Sequence, residues 1–482
     1  MGELVPGGTP EAQAQEQEQA RTRTVFDRLV RILFGADPDT KQILRVTWAL
    51  AWPVVLEQAL AMLSQVVDAA MVGRLGKEST AAIGLSMQPF HLINATFMGL
   101  SVGTTALAAR ATGAGNRDEA GQVAGQSLLV AFFFGTIISV IGFLNAGWVI
   151  NFMKAEPAVR AIGMEYVRAM MPGMLLFFVF TIATGALRGS GDTRTPMLIN
   201  LGLNLIHILT NYLLIFGNWG FPKLGVAGAG ISTSISRTLG GIAILVVLTS
   251  GKGRLHVDFK RAVTKFDWKL FGRILNVGVP AMLERTLTSS GQIQYARMVA
   301  GLGTESYAAH ALSLNVESFS YMPGMGFGTA ATALVGQRLG AKDPHGAERR
   351  ALFAVRMGLL SMGFMGFLFF LFPGQFLSIF TKDAGVIAKG IPLLRIVAFT
   401  QFPEAIGMVT PGALRGAGDT RISMYVTVCG AWVVRVGLTY VLMNILHLGL
   451  TAAWIAMFVD WVVRASLYWL RFKRGAWKTI RV

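Results

Sequence analysis

Five carboxylates stand out inside long apolar runs of the chain: Glu57, Asp68, Glu284, Glu317 and Glu404. Within hydrocarbon each would cost about 2.5–3.5 kcal/mol on insertion scales, so each calls for a wet cavity, a counter-charge or a proton-exchange role. Glu57 and Asp68 are eleven residues apart. On a helix, eleven steps of about 100° return to within roughly 20°, so both leave one face about 16 Å apart. Ser64 shares that stripe, Gln65 lies beside it, and Pro53 near its start would let the helix bend. Glu284 repeats the arrangement, preceded by Pro280 and followed by Thr288, Gln292 and Tyr295. Such sets can exchange protons or cations and bind a polar organic solute. The competing readings are structural. Asp68 could be an interfacial carboxylate bonded to a helix end, and Glu57 or Glu284 could pair with Arg285 or another helix. His207 and Asn211 share a further apolar run, with Ser232 and Thr233 as hydroxyl partners in the next. Histidine changes charge near neutrality, though a lone helical histidine is commonly just hydrogen-bonded.

The elements that position these groups are membrane spans. Of 482 residues, 53% are hydrophobic and only 14% charged, with a mean hydropathy of +0.53. A soluble chain of this size needs far more charge on its surface. Apolar segments run roughly over 46–73, 81–108, 122–150, 163–187, 196–216, 226–249, 271–300, 307–335, 351–380, 387–413, 422–446 and 450–470, each long enough for a bilayer core. They are too long and too continuous for barrel strands. The net charge of +17 comes from basic residues at segment ends, which points to membrane topology and excludes nucleic acid as the partner. Arg110, Arg117, Arg188, Arg194, Arg338 and Arg415 fall in even-to-odd connections, and further lysines and arginines in the middle linker and tail. Both termini should therefore face the cytoplasm of a multi-pass protein in the cell (inner or plasma) membrane. Residues 1–40 read as a disordered tail ending in a short amphipathic helix, Thr24 to Phe34. Cys429 is the single cysteine, so no disulfide framework exists.

The chain is duplicated. Pro53 to Asn116 lies over Pro280 to Asp343 without a gap at a shift of 227, with about 23 identities in 64 positions. The same shift carries Gly185-Ala-Leu-Arg-Gly-Ser-Gly-Asp-Thr-Arg194 onto Gly412-Ala-Leu-Arg-Gly-Ala-Gly-Asp-Thr-Arg421. Six spans per half make parallel repeats about an axis along the membrane normal, with a cleft between two bundles. The expected fold is all-α: twelve transmembrane helices in two six-helix lobes, 41–250 and 270–472, joined by a cytoplasmic linker at 251–269 and followed by a basic tail, 473–482. In the repeated motif the glycines permit a tight turn, Asp192 and Asp419 are expected to N-cap the next helix, and the arginines to anchor at the inner interface.

Duplication and motif together resemble the multidrug and toxic compound extrusion (MATE) family, over nearly everything from residue 45 to 470. Further matching stretches are Val67-Asp-Ala-Ala-Met-Val-Gly-Arg-Leu-Gly76, Leu224-Gly-Val-Ala-Gly-Ala-Gly230 and Pro323-Gly-Met-Gly-Phe-Gly-Thr-Ala-Ala331. The resemblance implies a two-lobe exporter taking H⁺ or Na⁺ inward while organic, often cationic, compounds leave. It implies that Asp68 is the protonation or cation site of the first lobe and that Glu404 falls at an acidic cation site in the second. Where the family has a seventh-helix glutamate, this chain has Thr288. His207 and Asn211 fall where some relatives carry Asn and Asp, which weakens a Na⁺ cage and favours H⁺. The expected coupling residues are thus Asp68, Glu404, Glu57, Glu284, His207 and Asn211. Gln65, Thr288, Gln292, Tyr295 and Glu317 are expected in the substrate cavity, and Pro53 and Pro280 as hinges. Cofactor and metal are not expected. The partners are the bilayer and small cationic or amphipathic organic compounds, and the expected state is a monomer. The nearest rival is a lipid-linked sugar or lipid flippase of the same superfamily, which generally has two extra helices and a more basic cavity. A channel lacks support because no filter loop repeats. Six scattered histidines and one cysteine argue against an enzyme, and the sequence contains no phosphate loop.

Overall fold

The computed structural model describes residues 39–153, 156–251 and 253–480. The expected tail and amphipathic helix at 24–34 lie outside the described residues. Twelve long helices run through these residues. In the first lobe they are α1 (Thr40–Gly73), α2 (Lys77–Gly113), α3 (Arg117–Leu144), α4 (Pro157–Gly189), α5 (Arg194–Phe216) and α6 (Gly225–Thr249). In the second lobe they are α7 (Trp268–Ala300), α8 (Thr304–Gly340), α9 (Pro344–Leu371), α10 (Ala384–Gly416), α11 and α12 (Gly449–Arg474). Helix α11 begins as Thr420–Val428 and continues with π-helical turns over Cys429–Gly437 and Val441–Ile445. Ten of the twelve are long and apolar enough to cross a bilayer. The other two, α7 and α8, are as long at 33 and 37 residues but more polar, because they turn Glu284, Arg285 and Glu317 toward protein rather than lipid.

Helix ends follow local chemistry more than the apolar windows do. Asn116 accepts from the Glu119 N–H at 3.0 Å and starts α3; Asp343, 227 residues later, accepts from the Gly346 N–H at 2.7 Å and starts α9. The expected spans 122–150 and 351–380 each break once, after Leu144 and Leu371. Short helices, Ala146–Phe152 and Pro373–Ser378, follow the breaks. Helices α1 and α7 run unbroken through Pro53 and Pro280.

Within each lobe the fourth member is central. Val167, Met170, Met174 and Phe178 of α4 are buried in one core, and Leu393, Leu394 and Val397 of α10 in the other. Duplication extends to single bonds: Thr105 donates to the Gly185 carbonyl at 2.9 Å and Thr332 to the Gly412 carbonyl at 2.8 Å. The linker is more than a tether. Leu255 and Val257 are buried in the first lobe's core, and Arg254 donates to the Gly191 carbonyl at 3.1 Å. The basic tail also packs: Trp477 is fully buried, stacks on Phe472, and is followed by a Lys478–Glu348 ion pair at 2.5 Å.

The two repeated turns lie at one end of the bundle, here called the turn face. Gly191 and Gly418 hold φ of +87° and +84°, a conformation that costs glycine little and other residues considerably more. Asp192 caps α5 as expected, accepting from the Thr195 N–H at 3.0 Å. Asp419 does not cap α11. It is drawn instead to the Arg471 guanidinium of α12, 2.8 Å away. The lobes meet through α1 against α8 and through α2 against α7 and α8, with backbones close enough to require glycine. A Cβ at Gly99 would sit 2.4 Å from the Met282 backbone; at Gly113, 1.8 Å from the Gln337 carbonyl; at Gly340, 2.1 Å from the Arg110 carbonyl. Two further bonds close this end: Arg110 donates to the Ala417 carbonyl at 2.8 Å, and Gln337 to the Gly189 carbonyl at 2.9 Å. Positions 110 and 337 are themselves 227 apart, so the seal is reciprocal.

Candidate transport site

A cavity of about 450 Å³ lies between the lobes. Its wall takes Glu57 and Gln58 from α1, Phe177 and Arg188 from α4, and Glu284, Arg285, Thr288 and Gln292 from α7. Tyr321 of α8, Arg435 of α11 and Trp461 and Arg464 of α12 also face it. Met98, Met325 and Met408 add soft, adaptable surface.

Two matched ion pairs line this space. Glu57 meets Arg188 at 2.5 Å and also accepts from Asn200; Glu284 meets Arg415 at 2.5 Å and accepts from Thr427 at 3.2 Å. This corrects the expectation for the motif arginines. Arg188 and Arg415 do not anchor to the interface but turn inward, because each helix-borne glutamate needs a counter-charge away from water. It also shows that the partner of Glu284 is Arg415 rather than Arg285.

Asp68 has a different setting. Its Oδ2 lies 3.0 Å from His207 Nε2, and its Oδ1 accepts from Asn211 Nδ2 at 2.7 Å. Behind the imidazole, Ser232 Oγ is 3.3 Å from Nδ1 and donates to the His207 carbonyl at 3.0 Å, while Thr210 Oγ1 contacts the same hydroxyl. The carboxylate facing Nε2 suits the tautomer in which Nε2–H donates to Asp68, while the one Ser232 proton is directed to the His207 carbonyl. Geometry follows from register. Glu57 pairs with Asn200 and Asp68 with Asn211, so α1 and α5 run parallel with eleven-residue steps matched on both. Asp68 keeps 34% of its side chain accessible and His207 13%, so the pair is neither dry nor open.

In the second lobe Glu404 is 2% exposed and accepts from Gln401 at 3.3 Å; Gln401 in turn accepts from Ser320. Glu317 is buried at 7% exposure. Both lie within electrostatic reach of Arg435, and neither lines the cavity. The structure thus places Glu317 behind the wall rather than on it. Tyr295 is also off the wall. It is buried, donates to the Ala453 carbonyl at 3.0 Å and packs against His310. Gln65 is exposed and does not line the cavity; it lies about two turns farther along α1 than Gln58, which does. Thr288 and Gln292 do line it.

Four buried or half-buried charges escape a search restricted to the five carboxylates. Asp460 is fully buried and holds Arg464 through both oxygens at 2.5 Å and Arg435 at 2.8 Å. Arg237 of α6 lies over the Phe177 ring at 4.6 Å. The available signal was an Asp and an Arg four residues apart inside the last apolar segment, with single arginines inside two others. Among the described residues, no three His, Cys, Asp or Glu side chains are close enough together to hold a metal ion.

These features recur in known proteins. The family model MatE matches residues 53–213 and again 280–441, offset at their starts by the same 227. "Probable multidrug resistance protein NorM" of Thermotoga maritima is 34% identical over 434 residues, covering 89% of this chain and 92% of that protein. "Uncharacterized transporter YisQ" of Bacillus subtilis is 26% identical over 432 residues, covering 89% and 94%. Among solved structures, a MOP superfamily transporter from Pyrococcus furiosus superposes with a TM-score of 0.83 at 24% identity, covering 94% of this chain and 99% of that one. A MATE protein in complex with MaD3S gives 0.83 at 23% identity, covering 92% and 97%. The doubled model match and the full-length relatives agree with the two-lobe helix bundle, and the chain belongs to the MATE family of membrane transporters.

Proposed function

We propose that this protein is a multidrug exporter of the cell membrane, driven by H⁺ rather than Na⁺ and working by alternating access between its two lobes. The turn face is assigned to the cytoplasm on the distribution of arginines, and the form described here, sealed at that face, is the outward-facing one. The observation that carries the reading is Asp68, a carboxylate within a spanning helix whose two oxygens already meet His207 and Asn211 nitrogens. An alkali cation wants several oxygen ligands, and here nitrogen donors occupy the lone pairs it would need. A proton needs only one of them.

Protonation from outside neutralises Asp68 and weakens its charge-assisted bonds to His207 and Asn211. This loosens α1 from α5 over the half beyond Pro53, so that α1 can bend and the cavity can change shape and release its cargo. Reorientation then breaks the seal at the turn face and lets the proton leave inward. Glu404, buried and adjustable through Gln401 and Ser320, is proposed as a second protonation site in the other lobe. The test is a reconstitution in vesicles with a pH gradient or a Na⁺ gradient imposed separately while a fluorescent organic solute is followed. A pH gradient should drive transport in the parent and fail in Asp68→Asn. Normal exchange by Asp68→Asn, or drive by Na⁺ alone, would overturn the assignment.

A further inference from the structure

The cavity wall carries five arginines, Arg188, Arg285, Arg415, Arg435 and Arg464, against two carboxylates, Glu57 and Glu284. Arg188 and Arg415 are matched by those two glutamates. Arg435 and Arg464 divide one carboxylate, Asp460, between them. Among the described residues Arg285 has no carboxylate within ion-pair distance. Nor does Arg237, whose guanidinium contacts Met174 Sδ and the face of Phe177, itself a wall residue. Glu317 and Glu404 reach Arg435 but stand behind the wall, so they offset part of its charge without presenting an acidic surface to a bound molecule.

An unpaired guanidinium within the span of the bilayer is costly to hold. Its presence beside an aromatic-lined, drug-sized space is explained if the missing counter-charge arrives with the cargo. Guanidinium also presents the planar fork that pairs with carboxylate, sulfonate or phosphate oxygens. Trp461, Tyr321, Phe177 and the methionines supply the complementary surface for an apolar body. We infer that the cargo of this cavity is an amphiphile bearing an anionic group, held by Arg285 with Arg435 and Arg464 on the second lobe, and not the organic cation that the family resemblance implies. The inference rests on the export reading of the same cavity.

The test uses the purified full chain and two probes, carboxyfluorescein as an aromatic carboxylate and ethidium as an aromatic cation. Fluorescence anisotropy should show carboxyfluorescein binding more tightly than ethidium. Arg285→Gln should weaken the anion about tenfold, the loss of one charge-assisted contact. Arg285→Lys, which keeps the charge but not the fork, should lose less than Arg285→Gln, and added salt should weaken the anion and spare ethidium. In vesicles the pH gradient should move carboxyfluorescein. Tighter binding of ethidium, or unchanged carboxyfluorescein affinity in a folded Arg285→Gln, overturns the inference. If ethidium alone is driven by the gradient, the charge class falls while export stands. If neither probe is driven by either gradient, export falls, and the anisotropy titration still decides the charge class by itself.

Discussion

Replacing Gly113 with alanine should open the turn face. The added Cβ would lie 1.8 Å from the Gln337 carbonyl oxygen, 2.5 Å from its carbon and 2.6 Å from its Cα, where real contacts begin near 3.0 Å. The neighbour is helix backbone, which cannot swing aside as a side chain can, so α2 and α8 must part by more than an ångström. That displacement would also stretch the Arg110–Ala417 and Gln337–Gly189 bonds, now 2.8 and 2.9 Å, out of hydrogen-bond range. Overpacking costs about 1–3 kcal/mol and each lost bond about 1 kcal/mol. Together these give about 3–5 kcal/mol, a factor of about 10²–10⁴ in population. The penalty applies only while the two helix ends touch, so it biases the molecule toward the form open at this face. The assay places a cysteine at wall position 329, as Thr329→Cys, in a Cys429→Ser background, and follows labelling by an impermeant maleimide from the turn-face side of oriented vesicles. Gly113→Ala and its repeat mate Gly340→Ala should both raise the labelling rate. Gly202→Ala, where a Cβ meets nothing within 4 Å, should leave it unchanged. Labelling of Gly113→Ala indistinguishable from that control would refute the seal.

Removing one member of a matched ion pair strands the other. Glu57→Gln or Arg188→Gln should each destabilise the protein by about 3–5 kcal/mol, and the double variant by less than their sum, in thermal unfolding in detergent; Glu284 and Arg415 should behave alike. Asp460→Asn leaves Arg435 and Arg464 facing each other without their shared carboxylate and should lower the melting temperature of the second lobe more than Asp192→Asn lowers that of the first. Trp477→Ala removes a fully buried indole from the core and should cost about 3–5 kcal/mol, showing as a large drop in melting temperature; an unchanged value would mean the tail is dispensable. His207→Gln can still donate to Asp68, so transport driven by the pH gradient should persist, read from vesicle rates.

The fold was largely legible because the bilayer leaves few alternatives. Long apolar runs must be helices, and the fixed shift of 227 imposes two equal lobes. The ends of the helices were less so, since α2 and α8 continue past their apolar windows on polar turns that no hydropathy signal reports. The Asp68 centre was anticipated through the family resemblance, with the carboxylate in one run and the imidazole and amide together in another; the matched spacing of Glu57–Asp68 and Asn200–Asn211 brings them together once α1 lies beside α5. Partner choice was not. Arg188 and Arg415 look like interfacial anchors in a linear reading, because they precede a turn, yet the last helical turn points them back into the cleft. Gln65 and Tyr295 failed for the opposite reason: polarity suggested the cavity, while depth along α1 removed Gln65 from it and one carbonyl acceptor, Ala453, settled the direction of Tyr295.

Duplication and divergence are divided along the bundle, and this division explains how one frame can serve a cycle. Near the turn face the copies still match closely: Glu57–Arg188 with Glu284–Arg415, Thr105–Gly185 with Thr332–Gly412, and, with glutamine in place of arginine and acceptors one residue out of register, Arg110–Ala417 with Gln337–Gly189. A gate must close against its own image, and matched contacts on either side of a twofold axis close together or not at all. Farther along α1 and α7, past Glu57 and Glu284, the site residues diverge. Asp68 meets His207 and Asn211 in one lobe, while its repeat position is Tyr295 and the second lobe gathers Glu404, Glu317, Arg435, Asp460 and Arg464 instead. Among the described residues, the first lobe thus holds the part-accessible Asp68 beside His207, and the second presents the unpaired Arg285 to the cavity. If proton uptake and cargo binding sit in different lobes, their coupling has to pass through the shared seal rather than through competition for one site, and loosening that seal with Gly113→Ala should weaken the coupling of proton to cargo while each still binds.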